Sequence, residues 1–245
     1  MKTTLIILLA FLLPVDIIMR HDVEEEQYFE LAEKTKGSFV RLNAGCGTFI
    51  SDRWILTAAH VASVPQIGNE VTINGVSYQF KNKIIHPSYR DGRSIQYDIA
   101  LIELEKPVPG VEPAEIYLKD DEVGKDIVFV GTGYAGTGDQ GLGGEVNKDR
   151  KLRAAQNRIE GIRADGFLRF KFDAPNTEGA LPLEGISGPG DSGGPALWFE
   201  GEHADILGVS SHQDFNGNSS EGMYGALEFY TRVSEYAEWI QQTIN

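Results

Sequence analysis

The chain has 245 residues, and its 22 Lys and Arg against 36 Asp and Glu give a formal net charge of −14. With 41% hydrophobic and 24% charged residues it is close to the averages of folded domains, which excludes a disordered chain. The acidic balance argues against binding to nucleic acid or to an anionic membrane through a basic field, and the single cysteine, Cys46, excludes an intramolecular disulfide framework.

Residues 1–16 are predicted to be a secretory signal peptide. Lys2 precedes an unbroken apolar run over residues 5–13, about half of the ~20 residues that a membrane-spanning helix needs. A buried N-terminal helix and a retained signal anchor are the alternatives. The prediction is therefore a protein secreted to the periplasm or the extracellular space, with no membrane association once the signal is removed.

The rest of the chain is predicted to have short strands between two terminal helices. Asp22 and Glu25 are spaced like a capping box and predict a short helix ending at Gly37, and Ser234 is the expected N-cap of an amphipathic C-terminal helix. Asn74-Gly75 is the strongest hairpin signal, and the intervening runs indicate an all-β sandwich or barrel. The predicted strands are 71–73, 76–80, 99–104, 127–130, 167–172, 196–199 and 206–210.

Three short segments carry residue types suited to nucleophilic catalysis. They are residues 57–60, which end at His60, residues 98–101, which begin at Asp98, and residues 190–195, which surround Ser192. A serine hydroxyl needs an adjacent base, histidine can accept its proton, and a buried carboxylate can fix the tautomer of the imidazole. Each segment alone could be an ordinary core or loop sequence, but the run Gly-Asp-Ser-Gly-Gly-Pro has a chance frequency on the order of 10⁻⁵ in this length.

These segments resemble the histidine, aspartate and serine motifs of the chymotrypsin/trypsin-like serine protease family, in that family's chain order. Flanking sequence agrees at residues 47–56, 85–89 and 230–240. The resemblance implies two packed six-stranded antiparallel β-barrels and a C-terminal helix. It places one barrel, with His60 and Asp98, in residues 17–120, and the other, with Ser192, in residues 121–245.

The resemblance also implies a role for each motif residue. Ser192 would be the nucleophile, His60 the general base and acid, and Asp98 the carboxylate that orients the histidine. The backbone N–H groups of Gly190 and Ser192 would form the oxyanion hole. Ser211 matches a serine that borders the aspartate and the substrate backbone.

The specificity pocket departs from the trypsin-like pattern. Ile186 stands at the expected pocket floor, where a carboxylate would select Lys or Arg. On the opposite wall Glu228 replaces a residue that is usually glycine. This glutamate either restores a preference for basic residues or points away and is solvated, and the sequence leaves both possibilities open.

The start of the predicted mature chain suggests a second departure. Many family members are activated by a cut that frees an ammonium group, which pairs with the aspartate before the nucleophile. Here that aspartate is Asp191, and removal of the signal is expected to create the pairing terminus at Ile17. A separate activating cut would then be unnecessary.

The lone cysteine indicates a disulfide-free, bacterial-type member of the family, with Cys46 as a small buried residue. Residues 214–218 resemble the start of a calcium loop but lack a glutamate at the twelfth place, which is Gly225. We therefore predict no metal and no cofactor, and the sequence indicates no oligomeric state.

The predicted function is a serine endopeptidase that hydrolyses peptide bonds through an acyl-enzyme intermediate. Its partner would be a protein or peptide substrate. A catalytically inactive protease-like binding module and a serine esterase are the alternatives.

Overall fold

The computed structural model describes residues 17–90, 95–133, 135–142 and 149–245. The predicted signal peptide, residues 1–16, lies outside the described residues. Among the described residues, no helix is long and apolar enough to cross a membrane.

The described chain is mostly β-structure with three α-helices. The helices are α1 (Glu25–Thr35), α2 (Ala59–Ser63) and α3 (Ala237–Ile244), with 3₁₀ turns at Lys36–Ser38, Pro65–Ile67 and Val233–Tyr236. The strands are β1 (Ile18–Met19), β2 (Phe39–Leu42), β3 (Gly45–Phe49), β4 (Trp54–Thr57), β5 (Glu70–Ile73), β6 (Val76–Ile85), β7 (Ala100–Leu104), β8 (Glu115–Ile116), β9 (Asp126–Gly131), β10 (Gly136–Thr137), β11 (Arg153–Arg158), β12 (Gly161–Ile162), β13 (Phe167–Lys171), β14 (Gly185–Ile186), β15 (Pro195–Glu200), β16 (His203–Asp214) and β17 (Leu227–Arg232).

Two barrel-like sheets contain most of these strands. The first sheet has six strands in the order β2-β3-β4-β7-β6-β5, and the second has the order β11-β9-β15-β16-β17-β13-β12 with β8 paired to β16. The predicted architecture of two β-barrels and a C-terminal helix is confirmed, and all seven predicted strands are present within a few residues. The second sheet exceeds six strands because short segments such as β8, which runs parallel to β16, add to it.

The predicted hairpin is confirmed and shows why its turn sequence is informative. Strands β5 and β6 pair in antiparallel register on either side of Asn74 and Gly75. Both turn residues have positive φ, at 49° and 78°, which is the geometry of the two-residue turns that match the twist of paired strands.

The segment near the start of the described chain packs on the second sheet, and the C-terminal helix packs on the first. Near the start, β1 lies between β10 and β14, and Ala32 of α1 packs with Val130 and Ala154 beside the second sheet. At the end, Ile240 of α3 joins the core cluster that contains Leu101 of the first sheet. These contacts join the two sheets around the interface where the predicted catalytic segments meet.

Both helices are present, but their predicted caps are wrong. The N-cap of α1 is Glu24, whose side chain makes no capping hydrogen bond, and Asp22 instead accepts two hydrogen bonds from the Arg20 guanidinium. Ser234 lies inside a 3₁₀ turn, and its hydroxyl donates to Glu122 at 2.6 Å. In each case a stronger, charged partner competes with the backbone for the side chain.

Candidate active site

His60 and Asp98 meet because they flank two neighbouring strands of the first sheet. Strand β4 ends at Thr57, which pairs with Ala100 at the start of the antiparallel strand β7. His60 follows β4 in the first turn of α2, and Asp98 precedes β7. The sheet register therefore brings the two side chains to the same edge.

Asp98 holds His60 through both carboxylate oxygens. Oδ1 accepts the backbone N–H of His60 at 2.8 Å, and Oδ2 lies 2.7 Å from the ring nitrogen Nδ1. The hydroxyl of Ser211 also donates to Oδ2, at 2.6 Å, and Thr231 Oγ1 donates to the carbonyl oxygen of Asp98 at 2.9 Å. The aspartate is only 3% exposed, so these groups replace its water shell.

These contacts keep the carboxylate ionised. Burial by itself would raise the pKa of Asp98, but the hydrogen bonds from His60 and Ser211 outweigh it and hold the pKa below its ordinary value. An ionised Asp98 can only accept, so the proton on His60 must be at Nδ1. This leaves Nε2 of the neutral ring as the basic nitrogen, and 34% of the histidine side chain is exposed.

Ser192 lies in a tight loop of the second half that packs against the first. The N–H of Cys46 in β3 donates to the carbonyl oxygen of Ser192 at 2.8 Å. The next residue, Gly193, has φ of 80°, and a β-carbon there would collide with Thr57 Oγ1 and stand 3.1 Å from the backbone nitrogen of Ala58. The loop that contains Ser192 therefore rests on the segment that leads directly to His60.

Gly190 and Ser192, whose backbone N–H groups are the predicted oxyanion donors, both lie in this loop. Gly190 has φ of 109°, a conformation open to glycine but strained for other residues. Its carbonyl oxygen accepts the thiol of Cys46 at 3.4 Å. Within the described part of the chain, neither the N–H of Gly190 nor that of Ser192 donates to a protein acceptor.

A cavity of about 170 Å³ opens beside Ser192. Ser211 and Glu228, both predicted pocket residues, line it. Ile186, the third, does not: it is fully buried in an apolar cluster with Ile18 and other residues. Neighbouring residues of an extended chain point to opposite sides, so the next residue, Ser187, reaches the cavity and Ile186 faces away.

Glu228 is a buried carboxyl group of the cavity wall. It is 1% exposed, which rules out the solvated orientation that the sequence left open. Its Oε2 accepts the backbone N–H of Ser187 at 2.9 Å, and its Oε1 accepts the Ser187 hydroxyl. Burial raises the pKa of Glu228 to about 8, and the negative charge of Glu221, another residue of the cavity wall, adds to the increase.

Ile17 and Asp191, the residues of the predicted ion pair, are both buried. Ile17 is fully buried, and the strand that follows it pairs with β10 on one side and β14 on the other. Asp191 is 1% exposed, and its carboxylate accepts the backbone N–H groups of Thr132, Gly133 and Gly188 at 3.1 to 3.3 Å.

The remaining predictions concern the single cysteine, Cys46, and the binding of a metal ion. Cys46 is a buried residue of β3, as predicted, and its thiol faces the loop that contains Ser192. Among the residues that the structure describes, no group of three His, Cys, Asp or Glu side chains is placed to hold a metal ion.

Comparison with known proteins decides the family. The family model named Trypsin matches residues 30–240 of this chain. The chain belongs to the trypsin family. This match spans both sheets and includes the segments of His60, Asp98 and Ser192.

Individual relatives of this trypsin-family protein are moderately similar. It is 27% identical to phenoloxidase-activating factor 3 of Holotrichia diomphalia, covering 91% of this chain and 70% of that protein. It is 29% identical to a trypsin of Simulium vittatum, covering 73% and 74%, and 26% identical to granzyme M of Rattus norvegicus, covering 81% and 78%. The predicted bacterial type is not supported, because these relatives come from insects and a rat.

The fold of this trypsin-family protein is also found in solved structures. It matches neuropsin, a serine protease expressed in the limbic system of mouse brain, with a TM-score of 0.64 and 20% identity. The match covers 86% of this chain and 96% of that one. At this identity the likeness concerns the fold alone.

Sequence reasoning missed two polar residues of the site. Glu221 lines the cavity, and Thr231 binds the backbone of Asp98. Only Thr231 lay in a recognisable segment, residues 230–233. Glu221 lies in a loop without a motif, and its role depends on how that loop folds over the cavity.

Proposed function

We propose that this trypsin-family protein is a secreted serine endopeptidase in which Ser192, His60 and Asp98 form the catalytic triad. Ser192 Oγ attacks the carbonyl carbon of the scissile peptide bond while His60 Nε2 takes its proton. The protonated histidine then gives that proton to the leaving amine, which leaves an acyl-enzyme on Ser192. Water attacks the ester by the same route and restores the serine.

The negative charge of the tetrahedral intermediate is stabilised by backbone donors. The N–H groups of Gly190 and Ser192 supply two hydrogen bonds to the developing oxyanion, and a donor of this kind is worth about 2.7–4 kcal/mol of barrier. Asp98 fixes the tautomer of His60 and stabilises the imidazolium that forms.

The observation that carries the proposal is the double hydrogen bond between Asp98 and His60. The contact of 2.8 Å holds the backbone of His60 and the contact of 2.7 Å orients its ring, both on a buried, ionised carboxylate. This arrangement favours the endopeptidase over an inactive binding module, which needs neither a fixed tautomer nor a basic Nε2.

The test is covalent labelling with a fluorophosphonate probe followed by peptide mapping. We expect the label on Ser192, its loss in Ser192→Ala and His60→Ala, and full labelling of the control Ser77→Ala, which changes an exposed serine on β6. An unlabelled, correctly processed wild-type protein would favour the inactive binding module. Labelling without cleavage of any peptide in a library would favour the esterase.

We further propose that Glu228 selects Lys or Arg as the residue before the scissile bond. A cationic side chain in the cavity would meet the Glu228 carboxyl and the nearby Glu221, and binding would favour ionisation of Glu228. Because the pKa of Glu228 is about 8, the preference for basic over neutral substrates should increase as pH rises from 7 to 9. The measurement is kcat/KM for matched Lys and Leu substrates; an unchanged ratio in Glu228→Gln would contradict the proposal.

The last part of the proposal concerns export and processing. Removal of residues 1–16 would free the Ile17 amine, which would pair with Asp191 and order the oxyanion loop. The buried positions of both residues and the inserted strand β1 support this pairing. Mass spectrometry of the secreted protein should give a first residue of Ile17, and any other start rejects this step.

A further inference from the structure

A continuous chain of hydrogen bonds leads from the surface to Asp98. Its four members, in order, are Arg163, His212, Ser211 and Asp98. Arg163 Nη1 lies 3.2 Å from His212 Nε2, and His212 Nδ1 lies 3.2 Å from Ser211 Oγ. Ser211 Oγ lies 2.6 Å from Asp98 Oδ2, the oxygen that also contacts His60.

The two ends of this series of hydrogen bonds determine which atom donates in each bond. An arginine guanidinium can only donate, so His212 Nε2 must accept. The neutral ring then carries its proton on Nδ1 and donates it to the Ser211 oxygen. At the other end the ionised carboxylate of Asp98 can only accept, so the Ser211 hydroxyl donates to it.

The surroundings keep His212 in this neutral form. Burial, with a smaller contribution from the charge of Arg163, lowers the pKa of His212 to about 4. The ring is stacked on Phe229, with centroids 4.9 Å apart and planes 17° apart, and Phe167 meets it edge-on at 5.0 Å.

Arg163 is itself held in place. It lies in the tight turn between β12 and β13, where its backbone N–H donates to the carbonyl oxygen of Phe167 at 2.8 Å. Its guanidinium donates to both carboxylate oxygens of Asp165, at 2.6 and 2.7 Å, and lies 4.3 Å from the ring centroid of Phe229. One nitrogen, Nη1, is left to donate to His212.

We propose that Arg163 and His212 are positioning residues that act on His60 through Ser211 and Asp98. A serine hydroxyl can rotate, but the proton from His212 occupies a lone pair of Ser211 Oγ and leaves its hydrogen aimed at Asp98. That bond fixes the Asp98 carboxylate, which in turn fixes the ring of His60. This inference rests on the proposed function, in which His60 is the general base.

The kinetic test uses Arg163→Met, because Arg163 is not among the residues that line the cavity. We expect kcat to fall about tenfold with KM within about twofold of wild type. The matched control is Arg158→Met, which breaks an exposed pair with Asp126 of the same two-bond geometry and should leave kcat unchanged.

A double-mutant cycle separates positioning from general loss of packing. If Arg163 acts through Ser211, Arg163→Met should have little further effect in a Ser211→Ala background. An equal fall in kcat in both backgrounds would overturn the proposal, as would an Arg163→Met enzyme with wild-type kcat.

A second readout does not depend on turnover. The proton on His60 Nδ1 should give a resolved, low-field NMR signal, and we expect both Arg163→Met and His212→Phe to shift it, whereas Arg158→Met should not. His212→Phe keeps a ring on Phe229 and removes both nitrogen atoms. If the signal moves in neither variant, the proposal is overturned. This outcome is independent of the proposed function, which the fluorophosphonate labelling tests separately.

Discussion

Gly193 approaches Thr57 so closely that a β-carbon on the glycine would collide with the threonine hydroxyl. Gly193 directly follows Ser192, the proposed nucleophile, in the second half of the chain. Thr57 lies three positions before His60 in the first half. The contact therefore sets the separation of the two segments on which the proposed chemistry depends.

Replacement of Gly193 by alanine should disrupt both folding and activity. The new methyl group would meet Thr57, the carbonyl oxygen of Cys46 at 2.5 Å and Ala58, on a backbone whose φ of 80° already disfavours alanine. We expect a loss of roughly 2–4 kcal/mol in the free energy of unfolding and a large loss of kcat. Urea denaturation and steady-state kinetics would measure the two effects.

Gly75→Ala is the matched control for that experiment. Gly75 has a similar φ of 78°, but a β-carbon there would meet nothing within 4 Å. We expect a loss of only about 1 kcal/mol from backbone strain and no change in kcat. Equal effects of the two substitutions would show that the contact with Thr57 has no special importance.

Asp98→Asn should abolish most activity without unfolding the protein. The amide keeps the shape of the carboxylate, but its NH₂ group would face His60 Nδ1 and favour the tautomer with the proton on Nε2, which cannot act as the base. A fall in kcat of about 10⁴ is expected. Circular dichroism should remain unchanged, and a variant with more than a tenth of wild-type kcat would contradict the assigned role of Asp98.

Glu228→Gln should change how stability depends on pH. The pKa of Glu228 is about 8 in the folded protein, against an ordinary value of 4.5, so the folded state holds a proton that the unfolded chain releases. The wild-type protein therefore loses stability as pH rises between these values. The variant should be more stable than wild type by about 1–3 kcal/mol at pH 9 and nearly equal to it at pH 4.

Thermal unfolding at the two pH values would measure this difference. Glu184, whose pKa burial also raises to about 8, contributes equally to both proteins and cancels in the comparison. A variant that is less stable than wild type at pH 9 would show that the pKa of Glu228 is not raised in the folded protein.

Glu122→Gln should destabilise the connection between the midpoint of the chain and its C-terminal helix. The fully buried Glu122 carboxylate accepts two hydrogen bonds from Arg232, at 2.8 and 2.9 Å, and a third from Ser234. Removal of its charge leaves Arg232 with only its longer contact to Glu235, at 3.3 Å, which should lower the free energy of unfolding by about 2–4 kcal/mol.

Asp126→Asn provides the comparison for this ion pair. Its partner, Arg158, forms a pair of similar geometry, but both side chains are about half exposed. An exposed pair of this kind is worth about 0–1 kcal/mol. Similar losses in the two variants, measured by urea denaturation, would mean that burial adds nothing to the Glu122 pair.

Local sequence was sufficient to predict the features whose geometry is local. The turn at Asn74-Gly75 needs two residues that tolerate positive φ, and the strands on either side of it alternate in polarity. The motif around Ser192 predicted a sharp, glycine-dependent loop for the same reason. The helix caps at Asp22 and Ser234 were wrong because charged partners, one of them 112 positions away in sequence, capture those side chains.

By itself, then, the sequence indicated an all-β chain and three residues suited to nucleophilic catalysis, since these depend on short-range backbone geometry or on residue type. The arrangement of the strands in two barrels was implied by the resemblance to a known family. Only the tertiary structure decided which neighbouring side chain faces the cavity, so that Ser187 and Glu228 line it while Ile186 is buried elsewhere. It also decided that Arg163 would meet His212 behind Asp98. Such contacts join distant strands, and their register follows from the packing of the whole sheet rather than from any local pattern.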